Sequence, residues 1–197
     1  MQATIPRQVI TGAVVPRSAV VSAVLVAGFA LLTAAAAQVV IPLGFTPVPI
    51  TGQTFAVLLA GAALGSTHGA ASQLLYVALG AVGLPFFAEG TGGWSVVAGA
   101  TGGYLVGFVV AAWVIGYLAE HKQDRNVVGA VSTFLTGSVI IYAVGVPWLY
   151  FAVDAIETGD QAIAAGLLPF IAGDVTKVGL AALVLPTAWR AVDRVRR

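Results

Sequence analysis

An acid and a base stand three residues apart, at Asp174 and Lys177, inside an apolar run bounded by Pro169 and Pro186. In a helix, positions three apart share a face, so the carboxylate and the ammonium project together and can meet each other or one shared ligand. At the middle of a bilayer each charge costs roughly 2.5 to 3.5 kcal/mol on insertion scales, so the pair has to be compensated. One form of compensation is a structural salt bridge. The other is a bound polar molecule, and the rest of the chain has to say which.

The surroundings are a membrane. Hydrophobic residues make up 59% of the 197 and charged residues 9%, against about 45 to 50% and about 25% in soluble domains. The chain is therefore expected to be an all-α integral membrane protein forming a single domain over residues 1–197. A net charge of +1, with few bases and no basic stripe, gives no sign of nucleic-acid binding. Without cysteine there are no disulfides or thiolate metal sites. His68 and His121 are the only imidazoles and neither lies near a membrane carboxylate cluster, so no metal site is expected.

A polar lead-in, expected to be exposed, precedes an apolar stretch over residues 18–41. Arg17 followed by an apolar core and Ala34-Ala35-Ala36-Ala37-Gln38 also resembles a signal peptide, but the core exceeds the about 7 to 15 residues a signal needs, which favours a first span. Ala23, Ala27, Ala30 and Ala34 give that span a ridge of small residues suited to close helix approach. The ridge can pack within the chain or, around Ala30 and Ala34, dock another subunit. Prolines at 47 and 49 force a loop. Further spans are expected at 53–65, at 70–83 after a tight Ser66-Thr67-His68-Gly69 turn, and at 101–119, 127–149 and 167–189. The expectation is a compact bundle of six transmembrane helices. An even number of spans puts both termini on one side, and Arg7, Arg17, Lys122, Arg125, Arg190, Arg194, Arg196 and Arg197 all fall on that side, which by charge bias is cytoplasmic.

The proline loop, the acidic connector from Asp154 to Asp160 and a glycine-rich segment then share the outer side with the start of the last span. The segment from Gly80 to Gly103 holds eight glycines interleaved with Phe86, Phe87, Glu89, Thr91, Trp94 and Ser95. Glycine permits close backbone approach, so such a loop can offer amides to a ligand while the aromatics wall it. Non-helical backbone at membrane depth is tolerable only where protein covers it or it lines a cavity, so this stretch is expected to form part of a pocket.

Several separated motifs, in order, resemble the BioY family, the biotin-binding S components of energy-coupling factor (ECF) transporters. They are Pro47-Val48-Pro49-Ile50-Thr51-Gly52-Gln53-Thr54-Phe55, Leu64-Gly65, Tyr76, Gly83-Leu84-Pro85, Gly92-Gly93, Thr101-Gly102-Gly103-Tyr104-Leu105, and Pro169-Phe170 with Gly173-Asp174 and Lys177. The chain departs from that pattern at Ala100, where the family usually has proline, and at Glu89, where small or amide residues are commoner. The resemblance implies a plasma-membrane protein that captures biotin near the outer face, with biotin as transported ligand and no cofactor. The resemblance assigns Asp174 and Lys177 to the biotin pocket, and the segments that roof it add Glu89, Phe86, Thr91, Gly92, Gly93, Trp94, Tyr104 and Thr51 as candidate ligand residues. Biotin's ureido group carries N–H donors beside a carbonyl, which a carboxylate with a neighbouring ammonium complements. Asp174 would accept from the nitrogens and Lys177 donate to the oxygen; the competing assignment puts Lys177 on the biotin carboxylate.

The resemblance also implies a transmembrane coupling protein (EcfT-like) and cytoplasmic ATPases (EcfA-like) as partners. Neither lysine lies in a Gly-Lys-Ser/Thr phosphate loop, since Lys122 follows His121 and Lys177 follows Thr176, so the chain is not its own ATPase. Three other readings compete. A membrane enzyme, using Asp174 as base and Lys177 as electrophile, would need more polar groups than the spans offer. A channel would need a polar line across the bilayer, and a carrier of another heterocyclic vitamin would use the same pocket.

Overall fold

Close approach between backbones organises the helices. The computed structural model describes residues 4–6, 8–16 and 18–195. Its main helices are α2 (Ala19–Ala37), α3 (Gln53–Leu64), α4 (Ser66–Ala81), α6 (Gly102–Glu120), α7 (Val127–Ala152) and α9 (Ile171–Val195), with short helices α1 (Ile10–Val14), α5 (Trp94–Ala98) and α8 (Gly159–Gly166). The central helix, α6, packs against α3, α4 and α7. Glycine makes this possible. A Cβ on Gly103 would stand 2.2 Å from Trp148 Cβ, and one on Gly116 would stand 2.2 Å from the Gly65 carbonyl carbon. In lipid, with no hydrophobic drive between helices, such contacts supply the attraction.

Four stretches are long and apolar enough to cross a membrane: Ala19–Ala37, Gly102–Glu120, Val127–Ala152 and Gly159–Arg194, the last comprising α8, a 3-10 turn and α9. Large apolar side chains such as Val20, Val128, Phe151 and Leu183 are exposed, as suits a surface that meets acyl chains. The chain is a helical, multi-pass membrane protein.

Several expectations need correction. The lead-in is only partly exposed: among its described residues Ile5 and Val9 are buried, and Thr11 Oγ1 donates to Ala63 O at 2.6 Å. Ser66–Gly69 is no turn but the first turn of α4; the reversal needs only Gly65, at φ 83. Ala30 and Ala34 are 1% and 7% exposed, covered by this chain, because α2 packs that side onto α3 and α4. They cannot form a docking face. The proline loop closes a two-residue antiparallel ribbon, β1 (Val40–Ile41) with β2 (Ile50–Thr51), a small departure from an all-α chain.

The two ends of the bundle differ. At one, Asp124 is fully buried and accepts from Trp189 Nε1 at 2.8 Å, while the Arg125 guanidinium lies 3.9 Å above the Trp189 ring and donates to Gln8 O. Burial raises the Asp124 carboxyl above its ordinary value, and the Trp189 N–H and the nearby Arg125 partly oppose this. This clasp ties the α6–α7 connection to the end of α9 and to the N-terminal segment. Lys122, Arg190 and Arg194 belong to the same end; Arg7, Arg17, Arg196 and Arg197 lie outside the described residues. At the other end, the loops before α3 and α6 fold over the helix tips, and Thr46 Oγ1 donates to Ala165 O in α8 at 2.8 Å.

Gly116→Ala should cost about 1–3 kcal/mol, because the new methyl meets backbone that cannot give way. Gly28→Ala, on an exposed face of α2 with no atom within 4 Å of the new methyl, should be neutral or stabilise by up to about 1 kcal/mol. Thermal unfolding in detergent reads both; equal midpoints would contradict the α4–α6 contact.

Candidate functional site

The buried stripe of α9 runs through Asp174, Val178, Ala181, Leu185, Trp189 and Val192, a spacing of three and four that turns one face of the helix inward. Asp174 heads that stripe and is 9% exposed. Its Oδ2 accepts from the Tyr142 hydroxyl of α7 at 2.6 Å, and its Oδ1 lies 3.5 Å from Lys177 Nζ. Lys177 also donates to Thr54 Oγ1, in the first turn of α3. Three helices thus converge on one charge pair. A hydroxyl on each side offsets part of the desolvation that two ions in a membrane would otherwise suffer.

The pair adjoins a cavity of about 340 Å³. Its floor is Leu105, Phe108, Ile141, Tyr142 and Lys177, and its walls include Tyr104, Phe87, Thr54 and Phe170. Its mouth is ringed by exposed Pro47, Glu89, Thr91 and Ser95. An apolar slot with a few convergent polar groups at its base is the usual form of a small-molecule site.

Of the residues expected at the site, Thr51, Glu89, Thr91, Tyr104 and Lys177 line the cavity. Asp174 stands one contact behind the wall, reached through Tyr142 and Lys177. Phe86, Gly92, Gly93 and Trp94 are not on the wall. The aromatic wall is Phe87 instead, 2% exposed and edge-on to Tyr76 at 5.6 Å. Gly92 is pressed against the Leu84 carbonyl, where a Cβ would lie at 2.2 Å, and the Gly93 N–H is spent on Gly80 O at 2.7 Å. Trp94 opens α5 pointing outward, 70% exposed. These glycines fold the loop on itself rather than presenting amides to a ligand.

Sequence reasoning missed Tyr142, Gln53, Thr54 and Phe87 as site residues. Tyr142 carried a signal, since a hydroxyl within an apolar helix must find a partner when buried. Gln53 sits in a relay, accepting from Thr51 Oγ1 at 2.7 Å and donating to the Tyr76 hydroxyl, which fixes the wall behind Phe87. Most other hydroxyls are committed to the protein: Tyr104 donates to Gly166 O at 2.8 Å, and Thr91 to Ala88 O at 2.8 Å. Lys177, with three donors and two protein partners, keeps one for an occupant.

Fold and site together define a membrane-embedded small-molecule binding protein. Residues 8–194 match the BioY family, and the chain belongs to it. It is 44% identical over 156 residues to a biotin transporter BioY of Thermotoga maritima, covering 79% of this chain and 88% of that one. It is 40% identical over 166 residues to a biotin transporter BioY of Rhodobacter capsulatus, covering 80% and 87%. Among solved structures it resembles the S-component for biotin from an ECF-type ABC transporter, with TM-score 0.78 and 28% identity, covering 87% of this chain and 92% of that one. These relatives are transporters, not enzymes.

Tyr142→Phe removes the donor to Asp174 Oδ2 and should cost about 1–3 kcal/mol, since a buried carboxylate oxygen loses its partner. Tyr150→Phe, at a partly exposed tyrosine on the same helix, should leave the midpoint unchanged. Equal thermal midpoints for the two variants would remove Tyr142 from the site.

Proposed function

We propose that this chain is the biotin-binding membrane subunit of a biotin uptake transporter, capturing biotin at the outer face of the plasma membrane and passing it to an ATP-driven ECF module. The observation that carries the reading is the Asp174–Lys177 pair set beside an apolar cavity within the bilayer, with hydroxyls from two other helices upon it. In this reading α2, α3, α4, α6, α7 and α9 are the six spans. α3 has 12 residues and α4 has 16, short of the about 20 that span a bilayer. Being mostly buried, α3 is covered by neighbours instead of lipid. The clasped, basic end is cytoplasmic by charge bias, which puts both termini there and the cavity mouth outside.

The ureido group of biotin enters first. Asp174 lies behind the cavity wall, so it acts on the ureido group through Tyr142 and Lys177, the two wall residues that it orients. Lys177 donates its remaining hydrogen to the ureido oxygen. Tyr104, Phe87 and Phe108 flank the bicycle, and the valeryl chain leads up to the mouth among Thr91, Ser95 and Glu89. Energy comes from elsewhere, through a coupling protein (EcfT-like) and cytoplasmic ATPases (EcfA-like). Since Ala30 and Ala34 face inward, that contact uses other surfaces of the helices.

Asp174→Asn should yield a folded protein whose biotin affinity falls at least about tenfold, the worth of one charge-assisted hydrogen bond. Isothermal titration of purified protein with biotin and biotin methyl ester checks this. Unchanged biotin affinity in the variant would overturn the site. In the parent, the ester should bind at least as well as the acid; strong loss with the ester would move Lys177 to the ligand carboxylate.

A further inference from the structure

Glu89 occupies an unusual backbone position. It stands at φ 60, ψ 26, in the left-handed region that its neighbour Gly90, at φ 68, adopts without the steric cost a side chain brings. The loop is held there by one side chain. Gln38, which caps α2, donates from Nε2 to Phe87 O at 3.1 Å and to Ala34 O at 3.0 Å, and its Oε1 accepts from Gly90 N at 2.9 Å. The clamp spans the loop on both sides of Glu89. A strained residue fixed by its surroundings is a mark of a functional position, and this one carries a carboxylate on the cavity wall at its mouth.

Among the described residues, the exposed charges at this end of the bundle have one sign. Asp154, Glu157 and Asp160 belong to the same end of the bundle and are exposed. The described bases Lys122, Arg125, Arg190 and Arg194 all belong to the opposite end, and Lys177 sits at the cavity floor. A carboxylate at a narrow mouth repels an anionic tail end and attracts a cationic one, with low-dielectric walls strengthening the field.

We propose that Glu89, set by the Gln38 clamp, is a charge-selecting residue at the cavity mouth, so that the site favours ureido bicycles whose side chain ends in a neutral or cationic group over the free carboxylate. Amide-linked conjugates of biotin with an amine-bearing residue are the ligand class it fits. The inference rests on the placement proposed above, with rings at Lys177 and tail at the mouth. It makes Glu89 a determinant of which tails are taken, while the pair at the floor fixes which head group is.

The test is titration of the purified full chain and of Glu89→Gln with three probes: biotin, biotinamide and biotin joined to ethylenediamine, which ends in an ammonium. In the parent the ammonium-tailed probe should bind more tightly than biotin. In Glu89→Gln the ratio of their affinities should fall about fivefold at low salt, twice the worth of one exposed charge pair. That fall should shrink at high ionic strength, and biotinamide should bind both proteins alike. An unchanged ratio, with all three probes binding, overturns the charge role and leaves the biotin site standing. A changed affinity for biotinamide alone would show that Glu89 acts through loop shape, which also overturns it. If no probe binds the parent, the biotin site itself fails and this inference falls with it.

Discussion

Two opposite charges on one face of a membrane helix set the terms for everything packed around them. An ion in lipid is tolerable only beside a partner, and two ions are tolerable only when their remaining hydrogen-bonding capacity is met. Asp174 and Lys177 meet part of that demand with each other and part with Tyr142 and Thr54. The partners come from α7 and α3, so those helices have to present those turns to α9. The rotation of three helices about their axes is thereby tied to a single salt bridge. What the protein leaves unfilled at that point is a cavity, not lipid and not a solid core.

The other demand on the bundle is proximity, and glycine meets it. Gly103 and Gly116 let α6 touch α7 and the α3–α4 reversal at distances where any side chain would collide. A helix that touches its neighbours along its whole length is a stiff support, and its first two turns carry Tyr104, Leu105 and Phe108 into the cavity. The clasp of Asp124, Trp189 and Arg125 fixes the far end. The cavity end is built from loops pinned by single side chains such as Gln38 and Thr46. A rigid floor under a lightly held roof suits a protein that must admit a molecule from one side and hold it.

The glycine-rich segment shows where residue types were informative and where they were not. That Gly80 to Gly103 would line a pocket followed from irregular backbone at membrane depth, and Glu89, Thr91 and Ser95 do line one. Which of Phe86 and Phe87 faces the pocket depended on the turn after Leu84-Pro85, and adjacent residues there point to different sides. Gly92 and Gly93 looked like amide donors to a ligand, yet the close packing they allow is with Leu84 and Gly80 of the same loop. The alanine ridge of α2 failed for a similar reason. Small residues mark a close contact without saying with whom, and α3 and α4 of the same chain supplied the partners of α2.

Sequence by itself determined that this is a helical membrane protein of the BioY family with an acid–base pair on its last span. Transfer of a residue into lipid and the i, i+3 geometry of a helix are local properties, additive along a chain and readable without knowing its path. Tertiary structure decided the rest: that Tyr142 and Thr54 complete the pair, that Phe87 and not Trp94 walls the cavity, and that Asp124, in the most polar connection, is buried. Those facts depend on which faces of separate helices meet, and that is fixed by contacts between residues tens of positions apart.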